Sequence, residues 1–322
     1  MTTRRQVLLG GTGSVFAAAL VFAQGHSATI GFLTARRGSS YDAPLLKRLA
    51  ELGYAQPRMR LEVRDAEGVA ERFPKLAREL VDAKCDLIFA IGPEQPALAL
   101  QGTRSQIPIV FLAVDYDPLE KGIVTNLRRP GGDLTGVYVP ALPLVVKRME
   151  LAQEVLPGAR RFLVFSDPYT GDQLARLRHA AAGRGVELKV VEFTKPPYDF
   201  AAALEAGRRA DIEAFISLNS PIIGAAVRGQ LGPVFASQRI AAFTGATTTT
   251  AEGILVSYST DAYKVGRRAA EIAARILKGT KPGDIPVEQA DEFELVVNLK
   301  IAKALGVKVP MSVLARATRV IE

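Results

Sequence analysis

The stretch AERFPKLARELVDAKCDLIFAIG, residues 70–92, decides how the chain folds. Up to Ala83 it has a helical period, with charged residues spaced between apolar ones. From Cys85 to Gly92 it becomes a short apolar run closed by glycine. A strand with one wet face alternates polar and apolar residues, whereas a near-continuous run is covered on both faces, as in parallel sheets. The stretch therefore reads as a helix feeding a buried parallel strand.

The same rhythm extends outward in both directions. ATIGFLT and RMRLEVRD precede the stretch, IPIVFLAV follows it, and APLLKRLAELGY supplies another helix. After DLTGVYVP and the helix LPLVVKRMELAQEVLPG, the rhythm restarts. RRFLVFSD, GVELKVVEF, IEAFISL, IAAFTG and GILVSYS read as strands, with helices such as TGDQLARLRHAAAGRG between them. Two such series imply an α/β protein of two doubly wound parallel-sheet lobes of similar size. The join lies near Tyr138–Pro140 and has no low-complexity linker, which is the arrangement of a hinge.

The amino terminus, MTTRRQVLLGGTGSVFAAALVFAQGHSA, admits a dinucleotide-loop reading that fails. Gly11 and Gly13 match its glycine fingerprint, but Phe16 occupies the third small position. No acid precedes Asp42 to bind a ribose, and Gln6 to Ala35 carries no charge. Arg4–Arg5 ahead of an apolar run to Ala23 instead reads as a twin-arginine-like export signal over 1–28. Cleavage falls between about Ala23 and Ala28, which places the mature chain in the periplasm.

Without Arg4 and Arg5 the net charge of +8 falls to about +6. The basic pairs, such as Arg128–Arg129 and Arg267–Arg268, are scattered and have no interleaved aromatics. That pattern gives solvated helix faces and no nucleic-acid surface. Cys85 is the single cysteine, so no internal disulfide exists, and its place in DAKCDLIFAI suits a small buried hydrophobe. With two histidines, His26 in the signal and His179 in a charged helix, neither a metal site nor a histidine-based triad is expected. No cofactor motif occurs.

Ligands of parallel sheets collect at the carboxyl ends of the strands and at the helix N-termini beyond them. Those positions hold Arg36, Ser40 and Tyr41 after the first strand, then Glu94 and Gln95 after the third. Asp115 and Tyr116 follow the fourth, and Tyr138 ends the fifth. In the second series Asp167 and Tyr169, Asn219 and Ser220, Thr244, and Tyr258 take the equivalent places. Asp115 and Asp117 ahead of Pro118 also suit a turn and helix cap. With no tryptophan in the chain, any aromatic stacking falls to tyrosine or phenylalanine.

Several phrases carry a family resemblance: IPIVFLAV–DYDP, LRRPGGDLTGV, AELGY in the first helix, and AEGILVSYSTDAYKVGRRAAEIAARILKGTKPGDIPVEQ. So does the tail EFELVVNLKIAKALGVKVPMSVLARATRVIE. Together they resemble the ABC-transporter substrate-binding protein family whose best-known members take up tryptophan and tyrosine. The resemblance implies a type I periplasmic binding fold, with three crossing strands forming the hinge. It also implies capture of a small organic ligand between the lobes, delivery to an ABC permease in the inner membrane, and no catalysis. Lobes of 29–138 plus about 262–288, and of 139–261 plus about 289–322, are expected in a monomer. The chain departs from amino-acid-binding relatives at ISLNSP, where neutral Asn219 and Ser220 stand for an acid, and in carrying Arg36 and Arg37. Asp167–Pro168 stands where relatives often have Asn-Pro, so Asp167 is a candidate counter-carboxylate, and a simple organic acid and an amino acid stay equally open. The expected ligand is an aromatic or amino-acid-like acid. A ligand-presenting sensory protein or a hydrolase on the same scaffold are the competing readings.

Overall fold

The computed structural model describes residues 27–140, 142–245 and 252–322. The export-signal reading of 1–28 lies almost wholly outside the described residues. Five strands open the chain: β1 Ala28–Thr34, β2 Met59–Asp65, β3 Leu87–Gly92, β4 Ile109–Val114 and β5 Leu134–Val139. Eight more follow: β6 Arg161–Ser166, β7 Glu187–Glu192, β8 Ala214–Ser217, β9 Ala241–Thr244, β10 Val256–Thr260, β11 Glu288–Gln289, β12 Phe293–Asn298 and β13 Arg319–Ile321. They form one sheet in the order β11-β5-β4-β3-β1-β2 and a second in the order β13-β12-β10-β9-β8-β6-β7. Every described pairing is parallel except that of β10 with β12.

Helices cover both faces of each sheet, which explains the uninterrupted apolar strands. In the first lobe α1 (Asp42–Glu51) lies on one face, and α2 (Phe73–Asp82) and α3 (Glu94–Gly102) lie on the other. The face of α2 that carries Phe73, Leu76, Ala77 and Leu80 is buried, as the helical period of residues 70–83 requires. Cys85 packs in the same core, 4% exposed, and burial pushes its thiol up to about 11. In the second lobe α4 (Leu142–Val155) and α5 (Gly171–Ala182) cover one face. The opposite face takes α6 (Phe200–Arg209), α7 (Pro221–Ala226) and α8 (Gly232–Ser237). A π-helical segment, Val227–Leu231, separates α7 from α8.

Three crossings join the lobes. The chain leaves the first sheet after β5 and enters α4, which packs on the second. It returns after β10 through α9 (Ala262–Leu277), whose Val265, Ala269 and Ile272 join the first-lobe core. It crosses again between β11 and β12. β12, with β13 parallel beside it, runs against the rest of the second sheet, because β12 enters by the third crossing and not by a βαβ turn.

Candidate functional site

A cleft opens where the carboxyl ends of the two sheets face each other. From the first lobe it is lined by Arg36, Ser39, Ser40 and Tyr41 after β1, by Gly92 and Pro93 after β3, and by Asp115 after β4. The second lobe contributes Tyr169, Asn219, Ser220, Arg228 and Thr244. Apolar walls come from residues such as Ile91, Val139, Leu144 and Leu218.

Local chemistry sets these positions. Gly92 sits at φ +109°, a conformation that a side chain would strain, and it turns β3 into α3. Asp115 sits at φ +73°, in the left-handed region that aspartate tolerates better than bulkier residues. Ser220 caps α7 by accepting from the amides of Ile222 at 3.1 Å and Ile223 at 3.0 Å, with Pro221 at the first helical position. Gln173 fixes Asn219 from both sides: its amide donates to the Asn219 carbonyl at 3.2 Å, and its carbonyl oxygen accepts from the Asn219 amide at 2.7 Å.

Several contacts span the cleft. Asn219 Nδ2 donates to Asp115 Oδ1 at 3.0 Å, and Arg228 Nη2 donates to the Gly38 carbonyl at 3.0 Å. Lys121 Nζ meets Asp172 Oδ2 at 3.3 Å. Ile222 and Tyr169 of the second lobe pack against the first-lobe core. These are the contacts of lobes drawn together.

The electrostatics centre on Asp115 and a residue the sequence reading passed over, Arg148. Burial pushes the Asp115 carboxyl up to about 7, against the opposing pull of the Asn219 hydrogen bond and the nearby Arg148 charge. Arg148 is 1% exposed, behind the floor of the cleft. Its Nε donates to the Tyr258 carbonyl at 3.0 Å and its Nη1 to the Ser217 carbonyl at 2.9 Å. Its Nη2 has no hydrogen-bond partner among the described residues. Burial draws this guanidinium down to about 10, so it stays charged at neutral pH. One signal of it was available: Arg148 interrupts the stripe Leu144, Val145, Met149, Leu151, Ala152 that α4 turns to the core.

Of the residues expected at the site, Arg36, Ser40, Tyr41, Asp115, Tyr169, Asn219, Ser220 and Thr244 meet in the cleft. Glu94 and Gln95 line an adjoining recess with Lys121 and Asp172, which shares Asp115 and Tyr169 with the cleft. The other four expected residues lie elsewhere. Tyr116 is 3% exposed in the first-lobe core, and Tyr138 packs half-buried against the same cluster. Tyr258 stacks on Phe293 at 6.0 Å and lines a groove with Lys147 and Arg316 at the third crossing, so β10 presents only its carbonyl to Arg148. Asp167 is consumed within its own lobe. It accepts from the Tyr169 amide at 3.1 Å, from the Tyr198 hydroxyl at 3.4 Å and from the Ser220 hydroxyl. The carboxylate in the cleft is therefore Asp115, from the opposite lobe. Asp117 does act as a turn cap, accepting from the Leu119 amide at 2.7 Å.

The described cleft residues offer hydroxyls, amides, guanidinium groups and one carboxyl, and the hydroxyls of Ser39 and Ser220 donate to Asp42 and Asp167 behind them. Among the described residues no group of three His, Cys, Asp or Glu is placed to hold a metal ion, and no helix is long and apolar enough to cross a membrane. His179 is exposed on α5.

Comparison with known proteins agrees with this geometry. Residues 40–321 match the family described as ABC transporter substrate binding protein. A tyrosine-binding protein of Clostridioides difficile (strain R20291) is 28% identical over 276 residues, covering 82% of this chain and 75% of the relative. Among solved structures, a conserved domain protein of Vibrio cholerae superposes with a TM-score of 0.76 at 29% identity, covering 91% of this chain and 99% of the other. An ABC domain from Streptococcus pneumonia, solved with L-Trp, gives a TM-score of 0.76 at 25% identity and covers 92% of this chain and all of its own (100%). More distant solute-binding proteins, such as one from Thermotoga lettingae with a TM-score of 0.59 at 14% identity, share the fold. The chain belongs to the ABC transporter substrate-binding protein family and has its type I periplasmic binding fold.

Proposed function

We propose that the chain captures a small aromatic or amino-acid-like acid between its lobes and delivers it to an ABC importer. The observation that carries this reading is the cleft itself, in which groups from opposite lobes already meet through Asn219 and Asp115. A ligand touching both lobes favours the closed state by its extra contacts there, and by nothing else. Moving a population from almost wholly open to almost wholly closed takes about 5.5 kcal/mol of differential binding. A few desolvated hydrogen bonds and one stacked tyrosine, Tyr41 or Tyr169, supply that order of energy. The tyrosine-binding relative and the L-Trp complex support the aromatic part of the reading. Arg4–Arg5 and the apolar run after them support export to the periplasm, where the chain works as a monomer and performs no chemistry on its ligand.

A thermal-shift screen of the mature chain against aromatic acids, amino acids and purines tests the proposal. A true ligand at 100 times its dissociation constant adds about 2.7 kcal/mol. Stabilisation by none of these classes, or turnover of a stabilising compound, defeats it.

A further inference from the structure

We propose that Arg148, through Nη2, is the anchor for a carboxylate on the ligand, so that the cleft accepts small organic acids and rejects their decarboxylated counterparts. This rests on the ligand-capture reading above and adds the group that decides what is captured.

The geometry is specific. Two backbone carbonyls on the strands either side of β9, Ser217 on β8 and Tyr258 on β10, hold Nη1 and Nε and fix the plane of the guanidinium. Both partners are neutral, so they orient the charge without cancelling it. The remaining nitrogen is buried and without a partner among the described residues, and it packs against Gly245. A Cβ built on the cleft-lining Gly245 would stand 2.3 Å from Nη2 and 2.4 Å from Asn219 Oδ1. The missing side chain of Gly245 is thus what lets Nη2 and Asn219 Oδ1 pack against the backbone of the cleft. A buried cation with unused donors demands an anionic acceptor, and a planar guanidinium suits a carboxylate.

Asp115, the carboxyl nearest in the cleft, does not meet that demand. Asp115 already accepts from Asn219, and no hydrogen bond joins it to Arg148 among those described. Of the other cations that could hold a ligand's carboxylate, Arg36 is exposed at the rim, and Arg228 is committed to the Gly38 carbonyl and lies near Asp42. Asn219 Oδ1 and the Asp115 carboxyl border the same space, so an α-ammonium can be accommodated there but is not required. Aromatic amino acids and simple aromatic acids share the carboxylate, and that shared group is what the site is built to read.

The test uses the mature chain and titration calorimetry with L-tyrosine, 3-(4-hydroxyphenyl)propionate, tyramine and L-tyrosine methyl ester. At least one of the two acids should bind, and the amine and the ester should bind at least about tenfold more weakly. Preference for the propionate or for tyrosine then tells a simple acid from an amino acid. Arg148→Met should lower acid affinity about 10- to 100-fold. Gly245→Ala, whose methyl would displace Nη2 and Asn219 Oδ1 from where they pack, should do the same while leaving Arg148 in the chain. Circular dichroism establishes that each variant is folded. Should Arg148→Met not fold, Gly245→Ala and the ligand series decide. Tyramine or the ester binding as tightly as the acids overturns the anchor and leaves ligand capture standing. So does full affinity in both folded variants. Failure of all four compounds to bind removes the aromatic-acid reading itself, and the anchor with it.

Discussion

At the scale of single residues, the cleft depends on two groups that face each other from different lobes. Asn219 Nδ2 reaches Asp115 Oδ1 only while the lobes are together, so the bond contributes to closure and not to the stability of either lobe. Asn219→Ala should therefore lower the affinity of whichever acid binds by about tenfold, the worth of one charge-assisted hydrogen bond. Its ligand-free unfolding midpoint should not move. A midpoint that falls with the affinity would make Asn219 a structural residue. Asp115 supports a second prediction, on pH. Its carboxyl titrates at about 7 in the folded chain, above its ordinary 3.8, because burial opposes the charge. The folded state then holds a proton that the unfolded state has released, so stability falls as pH rises from about 4 to about 7. Below that window both states are protonated and the penalty is absent; above it the penalty is complete. Asp115→Asn, which keeps the shape without the proton, should flatten this part of the profile. Melting curves of both proteins between pH 4.5 and 8 measure it, and parallel slopes would refute it.

At the scale of elements, close approach outweighs propensity in the pairing of α1 with α9. Gly266 lies within α9, where alanine would ordinarily stabilise by about 1 kcal/mol. A Cβ there would stand 2.6 Å from the Tyr41 carbonyl and 3.0 Å from the Leu45 amide, so the helices must part to admit it. Overpacking of this kind costs about 1–3 kcal/mol, which exceeds the propensity gain. Gly266→Ala should lower stability in chemical denaturation, and it should weaken ligand binding because Tyr41, which opens α1, lines the cleft. A more stable variant would show that the helices are free to separate. What the sequence made legible also divides by element. Residues 28–34 and 107–114 announced β1 and β4, because an apolar run between turn residues is a local signal. The strand ends gave eight cleft residues for the same reason. The antiparallel entry of β12 was not legible, since pairing across the hinge leaves no local pattern. Tyr258 and Asp167 were misplaced because strand-end position does not say which way a side chain turns or what claims it first. Asp167 is claimed by Ser220 and Tyr198, both distant in sequence. Arg148 lies on a helix and not at a strand end, so a search confined to strand ends passes over it.

At the scale of the whole molecule, three crossings tie two separately cored lobes together, and the contacts across the cleft are few. Like Tyr169, Ile222 at the start of α7 is an apolar one. Gly68, at φ +79°, leaves room for it: a Cβ there would lie 1.7 Å from Ile222 Cδ1. Ile222 is half-buried with the lobes together, packed against the first-lobe core across the cleft. Its burial on closure is worth about 1–2 kcal/mol, a small fraction of what full closure requires, so the ligand must supply the rest. The ligand-free chain should then sample open forms, and a bound acid should reduce the radius of gyration measured by X-ray scattering. Ile222→Asp tests the balance. A charge there cannot follow Ile222 into the apolar seat without losing its hydration, so closure should cost more and acid affinity should fall about tenfold. Each lobe keeps its own core, so the ligand-free melting midpoint should stay where it was. The scattering profile of the variant should match that of the open form until higher ligand concentration closes it. If the variant binds the acid with unchanged affinity and compacts at the same concentration, closure is not what the ligand is working against, and the cleft binds as a preformed site.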